Sequence, residues 1–274
     1  MNTASTVELN NGVEIPWLGL GVFKAARGEE TQQAVRWALD IGYRHIDTAA
    51  VYGNEEDVGR ALKASAVPRE QVFVTTKVWN SDQGYESTLK AFDTSRRKLD
   101  LEVVDLYLVH WPVQGKYKDT WRALEKLYAD GKVRAIGVSN FLVHHLEDLL
   151  GDAEVVPAVN QVEFHPFLIQ KPLLEFGRDE DIRHEAWSPL TRAKMLGHET
   201  ITAAAQKHGR TNAQVLLRWD LELGVVTIPK SVHRERILEN SRIFDFELDA
   251  EDMAHLESLD SGTRVGPDPD NFDF

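Results

Sequence analysis

The chain of 274 residues contains no cysteine. Disulfides, zinc–thiolate sites, iron–sulfur clusters and a cysteine nucleophile are thereby excluded. Basic residues are in deficit, with 31 Lys and Arg against 44 Asp and Glu and a formal net charge of −13. Such a surface repels nucleic-acid phosphates and anionic membranes, so neither is an expected partner. Long apolar runs are missing too, and none approaches the roughly 18 residues that span a bilayer. The opening stretch "MNTASTVELNNG" has no basic n-region and no apolar h-region, so no signal peptide is expected and a cytoplasmic protein is the reading. The Gly-rich dinucleotide fingerprint also fails. "GLGVFK" carries Gly19 and Gly21, but Lys24 stands where G-x-G-x-x-G needs its third glycine. No P-loop, G-x-S-x-G elbow, H-E-x-x-H motif or evident metal cluster appears, which weighs against a hydrolase and leaves no metal site to expect.

What is present is an alternation. Short apolar runs at 17–23, 43–47, 72–77, 105–110, 133–140, 158–164, 182–187 and 224–229 are rich in Val, Ile, Leu and aromatics. Near-continuous runs of this kind suit parallel strands buried on both faces. Amphipathic stretches lie between them, marked by start and stop residues. Asn54 and Thr211 are candidate N-caps, and Gly131 and Gly224 are candidate terminators. Two helix patterns, around 200–208 and 212–223, fill the longer gap before the last run. The period is that of a (β/α)8 TIM barrel, and no linker divides the chain, so 1–274 reads as a single domain. A doubly wound sheet is the competitor, disfavoured by the missing Gly-rich turn. An N-terminal hairpin, extra helices and a C-terminal tail over the barrel mouth complete the expected architecture.

Polar residues fall repeatedly at the ends of these runs: Asp47, Lys77, His110, Ser139 with Asn140, Gln161, Trp187 with Ser188, and Lys230 with Ser231. In a barrel all such ends meet at one mouth. Each residue alone has a bland explanation, Asp47 as a helix cap and His110 as a satisfied core histidine. Together with Tyr52 they form a constellation suited to proton transfer to oxygen. A tyrosine is a weak acid at neutral pH, and a neighbouring ammonium is expected to lower its pKa. A buried lysine needs a carboxylate to stay charged, which Asp47 supplies. His110 can donate to a carbonyl oxygen. This is general-acid machinery for carbonyl reduction, and it requires an external hydride donor.

The motifs "GYRHIDTAAVYGNEEDVG", "TTKVW", "VDLYLVHWP", "IGVSNF", "NQVEFHP" and "IPKSVHRERILEN" resemble those of the aldo-keto reductases, in particular the bacterial 2,5-diketo-gluconate reductase-like branch. The resemblance covers nearly the whole chain. It implies a barrel that binds NADPH/NADP+ in extended form and reduces aldehydes or ketones to alcohols. It gives Asp47, Tyr52, Lys77 and His110 as the catalytic set, with Tyr52 as general acid. By matched position, Ser139, Asn140 and Gln161 would hold the nicotinamide carboxamide, and Trp187 would stack on the ring where much of the family has tyrosine. Lys230, Ser231 and Arg236 would hold the 2′-phosphate, and Glu239 and Asn240 the adenine. Ser188, Leu190 and Val232 complete the implied cofactor contacts.

Phe23, Trp79 and Trp111, together with His110, are candidate walls of a substrate pocket, and the short loop after Trp111 suggests an open one. The implied substrates are small-molecule carbonyls, with 2,5-diketo-D-gluconate, methylglyoxal and small aldehydes as candidates. A monomer is expected. The alternative is an NADPH-sensing binding subunit without significant turnover, disfavoured because sensing would not require all four catalytic residues.

Overall fold

A computed structural model describes residues 1–274. A short antiparallel hairpin, β1 (Thr6–Glu8) and β2 (Glu14–Pro16), precedes the main sheet. Eight parallel strands follow: β3 (Leu20–Gly21), β4 (His45–Asp47), β5 (Phe73–Val78), β6 (Val104–Val109), β7 (Val133–Ser139), β8 (Val159–Glu163), β9 (Arg183–Trp187) and β10 (Val226–Thr227). They pair in sequence order, and the bridges Leu18–Thr227 and Gly21–Lys230 bring the first edge to the last. The sheet is therefore a closed barrel, with no edge left to pair. The runs read from the sequence all carry strands. At the seam the regular ladder shrinks to two residues on each side, because the sheet closes there through isolated bridges.

Helices return the chain between strands: α1 (Glu29–Ile41), α2 (Glu55–Ala64), α3 (Tyr85–Leu99), α4 (Tyr117–Ala129), α5 (Val143–Leu150) and α6 (Lys171–Asp179). The pair α7 (Glu199–His208) and α8 (Asn212–Glu222) fills the longer gap before β10, and α9 (Arg234–Asn240) and α10 (Ala250–Glu257) follow it. Thr211 caps α8 as its type predicts: its hydroxyl accepts from Gln214 N, and the Gln214 side chain accepts from Thr211 N at 3.0 Å. Asn54 does not cap α2. Its amide is buried and turned inward, donating to Val22 O at 3.0 Å and accepting from Thr48 Oγ1 at 2.9 Å. Tying β3 to the loop after β4 satisfies a buried amide better than an exposed helix end would.

Two apolar clusters hold the molecule together. The larger lies between barrel and helices and includes Trp121, Trp219, Phe141 and Phe164. The smaller fills the lower barrel, where Phe73, Leu106, Leu108, Val159 and Val226 meet Leu9 and Ile15 of the hairpin. Ile15 is fully buried, a contribution of about 1.5–3 kcal/mol. The hairpin thus plugs the N-terminal end of the barrel and leaves the C-terminal mouth as the place for a site.

Candidate active site

The loop after β4 shows how a strand end becomes a site. β4 stops at Asp47, and a single 3-10 turn, Ala50–Tyr52, carries Tyr52 back over the mouth. Gly53 then takes φ of 69°, a left-handed turn that lets α2 begin. From the neighbouring strand, Lys77 Nζ donates to both Asp47 oxygens at 2.7 Å and to Thr48 O at 2.8 Å. Lys77 is completely buried. Burial alone would push it down, but the attraction of the Asp47 carboxylate wins and holds the ammonium above the ordinary lysine value. The ammonium lies 5.3 Å from the centre of the Tyr52 ring.

Tyr52 corrects one expectation. Its acidity is not raised: burial pushes its pKa up to about 12, and Lys77 pulls it down without reversing the rise. At neutral pH the phenol therefore carries its proton. His110 packs edge-on to both Tyr52 and Trp79, at ring separations of 5.8 and 5.1 Å. Burial and the nearby Lys77 hold its pKa well below the ordinary histidine value, so the imidazole is neutral. Its Nδ1 is buried without a protein partner.

These groups line a cleft of about 540 Å³. Asp47, Tyr52 and His110 reach it, and Lys77 supports it from below. Ser139, Asn140, Gln161, Trp187, Ser188, Leu190 and Lys230 line it as well. Ser231, Val232, Arg236, Glu239 and Asn240 lie outside it, on the segment after Lys230 and on α9. Arg236 is exposed, Asn240 is buried, and Glu239 accepts from Thr211 Oγ1 at 2.7 Å.

The amides of the mouth are already engaged. Asn140, at φ of 66°, donates to His110 O at 2.9 Å and Ser139 Oγ at 3.1 Å, and accepts from Trp187 Nε1 at 2.8 Å. Gln161 Nε2 donates to Asp47 Oδ2 at 2.8 Å and to Glu185 Oε2 at 2.7 Å. Glu185 and Arg192 were not legible as site residues. Glu185 stands two residues before Trp187 inside a run expected to be buried, and a carboxylate at such a position was the available signal. Arg192 lines the cleft with its guanidinium 5.8 Å from the Trp187 ring. Its loop winds through the left-handed region at Ser188, Thr191, Arg192 and Ala193, a backbone strain that tends to cluster at functional sites.

Phe23, Trp79 and Trp111 line the cleft, and the pocket is less open than its short loops suggest: Phe23 stays exposed, but the two tryptophans are covered. The C-terminal tail crosses the mouth. Glu163 Oε2 accepts from Gly266 N at 3.1 Å, and a Cβ at Gly266 would lie 2.3 Å from the Trp187 ring, so only glycine passes there. Further along, Phe272 packs on Trp111 and Phe274 stacks on Trp79 at 5.7 Å. The tail thus lies over the mouth as expected, held by side chains rather than by a helix or strand.

The barrel and this site define a class, and comparison with known proteins agrees: the chain belongs to the Aldo/keto reductase family, whose model matches residues 17–261. It is 60% identical over 269 residues to glyoxal reductase of Bacillus subtilis (strain 168), covering 98% of each chain. It is 54% identical to the 9,11-endoperoxide prostaglandin H2 reductase of Trypanosoma cruzi (strain CL Brener), covering 97% of this chain and 95% of that one. Among solved structures, MGS-M4, an aldo-keto reductase from a Medee basin deep-sea metagenome library, superposes with a TM-score of 0.95 at 48% identity, covering 98% of this chain and all of that one. A mutant of Gox0644 in complex with NADPH superposes with a TM-score of 0.94 at 44% identity, covering 98% of this chain and 99% of that one. No helix is long and apolar enough to cross a membrane.

Proposed function

We propose that this protein is an NADPH-dependent reductase of small aldehydes and ketones. The observation that carries the reading is the buried Lys77–Asp47 pair set beneath a protonated Tyr52, with a neutral His110 beside it. The residues present fit the cofactor. Polar side chains of Ser139, Asn140 and Gln161 line one side of the cleft, and the cations Lys230 and Arg192 line it as well, in a chain that is otherwise strongly acidic. Such cations suit phosphate oxygens.

NADPH, when bound, supplies the hydride that no side chain can provide. The protein's part is orientation and proton delivery. Tyr52 holds its proton until negative charge develops on the substrate oxygen, then gives it up. Lys77, kept charged by Asp47, stabilises the tyrosinate that remains. Neutral His110 orients the carbonyl by donating a hydrogen bond. The aromatic walls of Phe23, Trp79, Trp111 and Phe274 exclude water from the reacting atoms. The relative named glyoxal reductase supports short dicarbonyls as substrates, with methylglyoxal and 2,5-diketo-D-gluconate as further candidates.

The test is steady-state NADPH oxidation with glyoxal, methylglyoxal and 2,5-diketo-D-gluconate. Tyr52→Phe should lower kcat by roughly 10²–10⁴-fold, the usual weight of a positioned acid, while NADPH binding stays within about twofold. Near-normal turnover in that variant would remove Tyr52 from its role. NADPH binding without turnover in the wild type would favour a sensing subunit instead.

A further inference from the structure

Glu185 lies at the centre of β9, wholly buried, in register with Gln161 of β8. A carboxyl group in a barrel core is costly unless it is hydrogen-bonded. Its bonded neighbour is Gln161 Nε2, at 2.7 Å. The same nitrogen donates to Asp47 Oδ2 at 2.8 Å. An amide nitrogen has two hydrogens, so both are consumed. Turning the amide over would set its oxygen against Asp47 Oδ2, an acceptor that Lys77 also bonds, and would lose the bond to it. Since the group is planar, Oε1 is the atom left for a ligand in the cleft that Gln161 lines.

We propose that Glu185 is a positioning residue for cofactor selection: with Asp47 it fixes the Gln161 amide so that only an acceptor faces the nicotinamide carboxamide. This deepens the cofactor reading above and rests on it. A fixed acceptor recognises the NH2 of a carboxamide and rejects a ring whose side group lacks that donor. The other groups facing Glu185 do not replace it. His45 Nε2 stands 3.6 Å from Glu185 Oε1 and bonds Thr75 Oγ1 at 3.0 Å, and Lys77 is taken by Asp47 and Thr48. Burial and the charge of Asp47 push the Glu185 pKa up to about 8, yet a carboxyl group in either charge state keeps an acceptor oxygen for Gln161.

Three ligands test this by equilibrium binding: NADP+, its 3-acetylpyridine analogue, in which a methyl replaces the carboxamide NH2, and 2′-phospho-ADP-ribose, which has no nicotinamide. Wild type should bind NADP+ about tenfold more tightly than the analogue, the worth of one hydrogen bond. In Glu185→Leu that preference should fall to within about twofold, because one of the two bonds that hold the Gln161 amide is gone and Asp47 alone opposes its turning. Glu185→Gln, which can still offer an oxygen to Gln161, should keep it. All three proteins should bind 2′-phospho-ADP-ribose equally, which a general structural defect would not allow. An unchanged preference in Glu185→Leu, or an equal loss in Glu185→Gln, overturns the proposal. If Glu185→Leu does not fold, Glu185→Thr takes its place, since its hydroxyl is too short to reach Gln161. Equal wild-type affinity for NADP+ and the analogue overturns the proposal with no variant at all. Failure of the wild type to bind any of the three ligands would overturn the cofactor reading, and this inference with it.

Discussion

Lys77 carries a full charge with no exposed surface, and only Asp47 and one carbonyl oxygen make that tolerable. Removing one partner of such a pair strands the other. Asp47→Ala should therefore destabilise the fold by about 3–5 kcal/mol, read from urea unfolding, besides abolishing turnover. That Asp47, Tyr52, Lys77 and His110 meet at one mouth was legible from the sequence because each stands at or just past a strand end. The sign of the Tyr52 shift was not legible. It depends on how much water the ring loses, and sequence spacing does not encode that. Glu185 was missed for a related reason. A carboxylate inside an apolar run reads as an interruption until the partner across the ladder is known, and that partner is Gln161.

At the scale of elements, the helices whose ends carry a self-sufficient signal were the readable ones. Thr211 and Gln214 bond each other across the first turn of α8, and their bonds to Glu239 add to that cap without displacing it. Thr211→Ala should cost about 1 kcal/mol, seen as a lower unfolding midpoint. Asn54 has the same cap-forming chemistry, yet the fold spends its amide on Val22 and Thr48, which lie at other points of the chain. A local rule fails where a buried distant partner competes for the same side chain. The tail follows the same logic. It was expected over the mouth, and Glu163, Trp187, Trp111 and Trp79, distant in sequence, fix its course there.

Across the whole molecule, the barrel was evident from the spacing of apolar runs, since a closed parallel sheet buries every strand on both faces and imposes one composition on all of them. The same burial creates a liability toward acid. His45 is held near 3 and His184 near 4, each chiefly by burial, against an ordinary value of 6.5, and His110 is also well below it. The unfolded chain takes up these protons below about pH 6.5 while the folded chain refuses them. Stability from this source is therefore complete above that pH and is lost as pH falls toward the folded values. Each histidine contributes up to about 1.4 kcal/mol per pH unit in the window. Urea midpoints measured from pH 7 down to 5 should fall accordingly, and His184→Gln, which is remote from the cleft, should flatten the slope.

Of the chain's 7 tryptophans, Trp79, Trp111 and Trp187 stand in the wall of the cleft. Their indoles emit from the place where ligands would settle, and Trp121 and Trp219, sealed in the core, supply a steady background. The protein thus carries its own optical indicator of occupancy. A titration followed by intrinsic fluorescence needs no label, and the missing cysteines leave a free hand to add a single thiol-linked dye anywhere else.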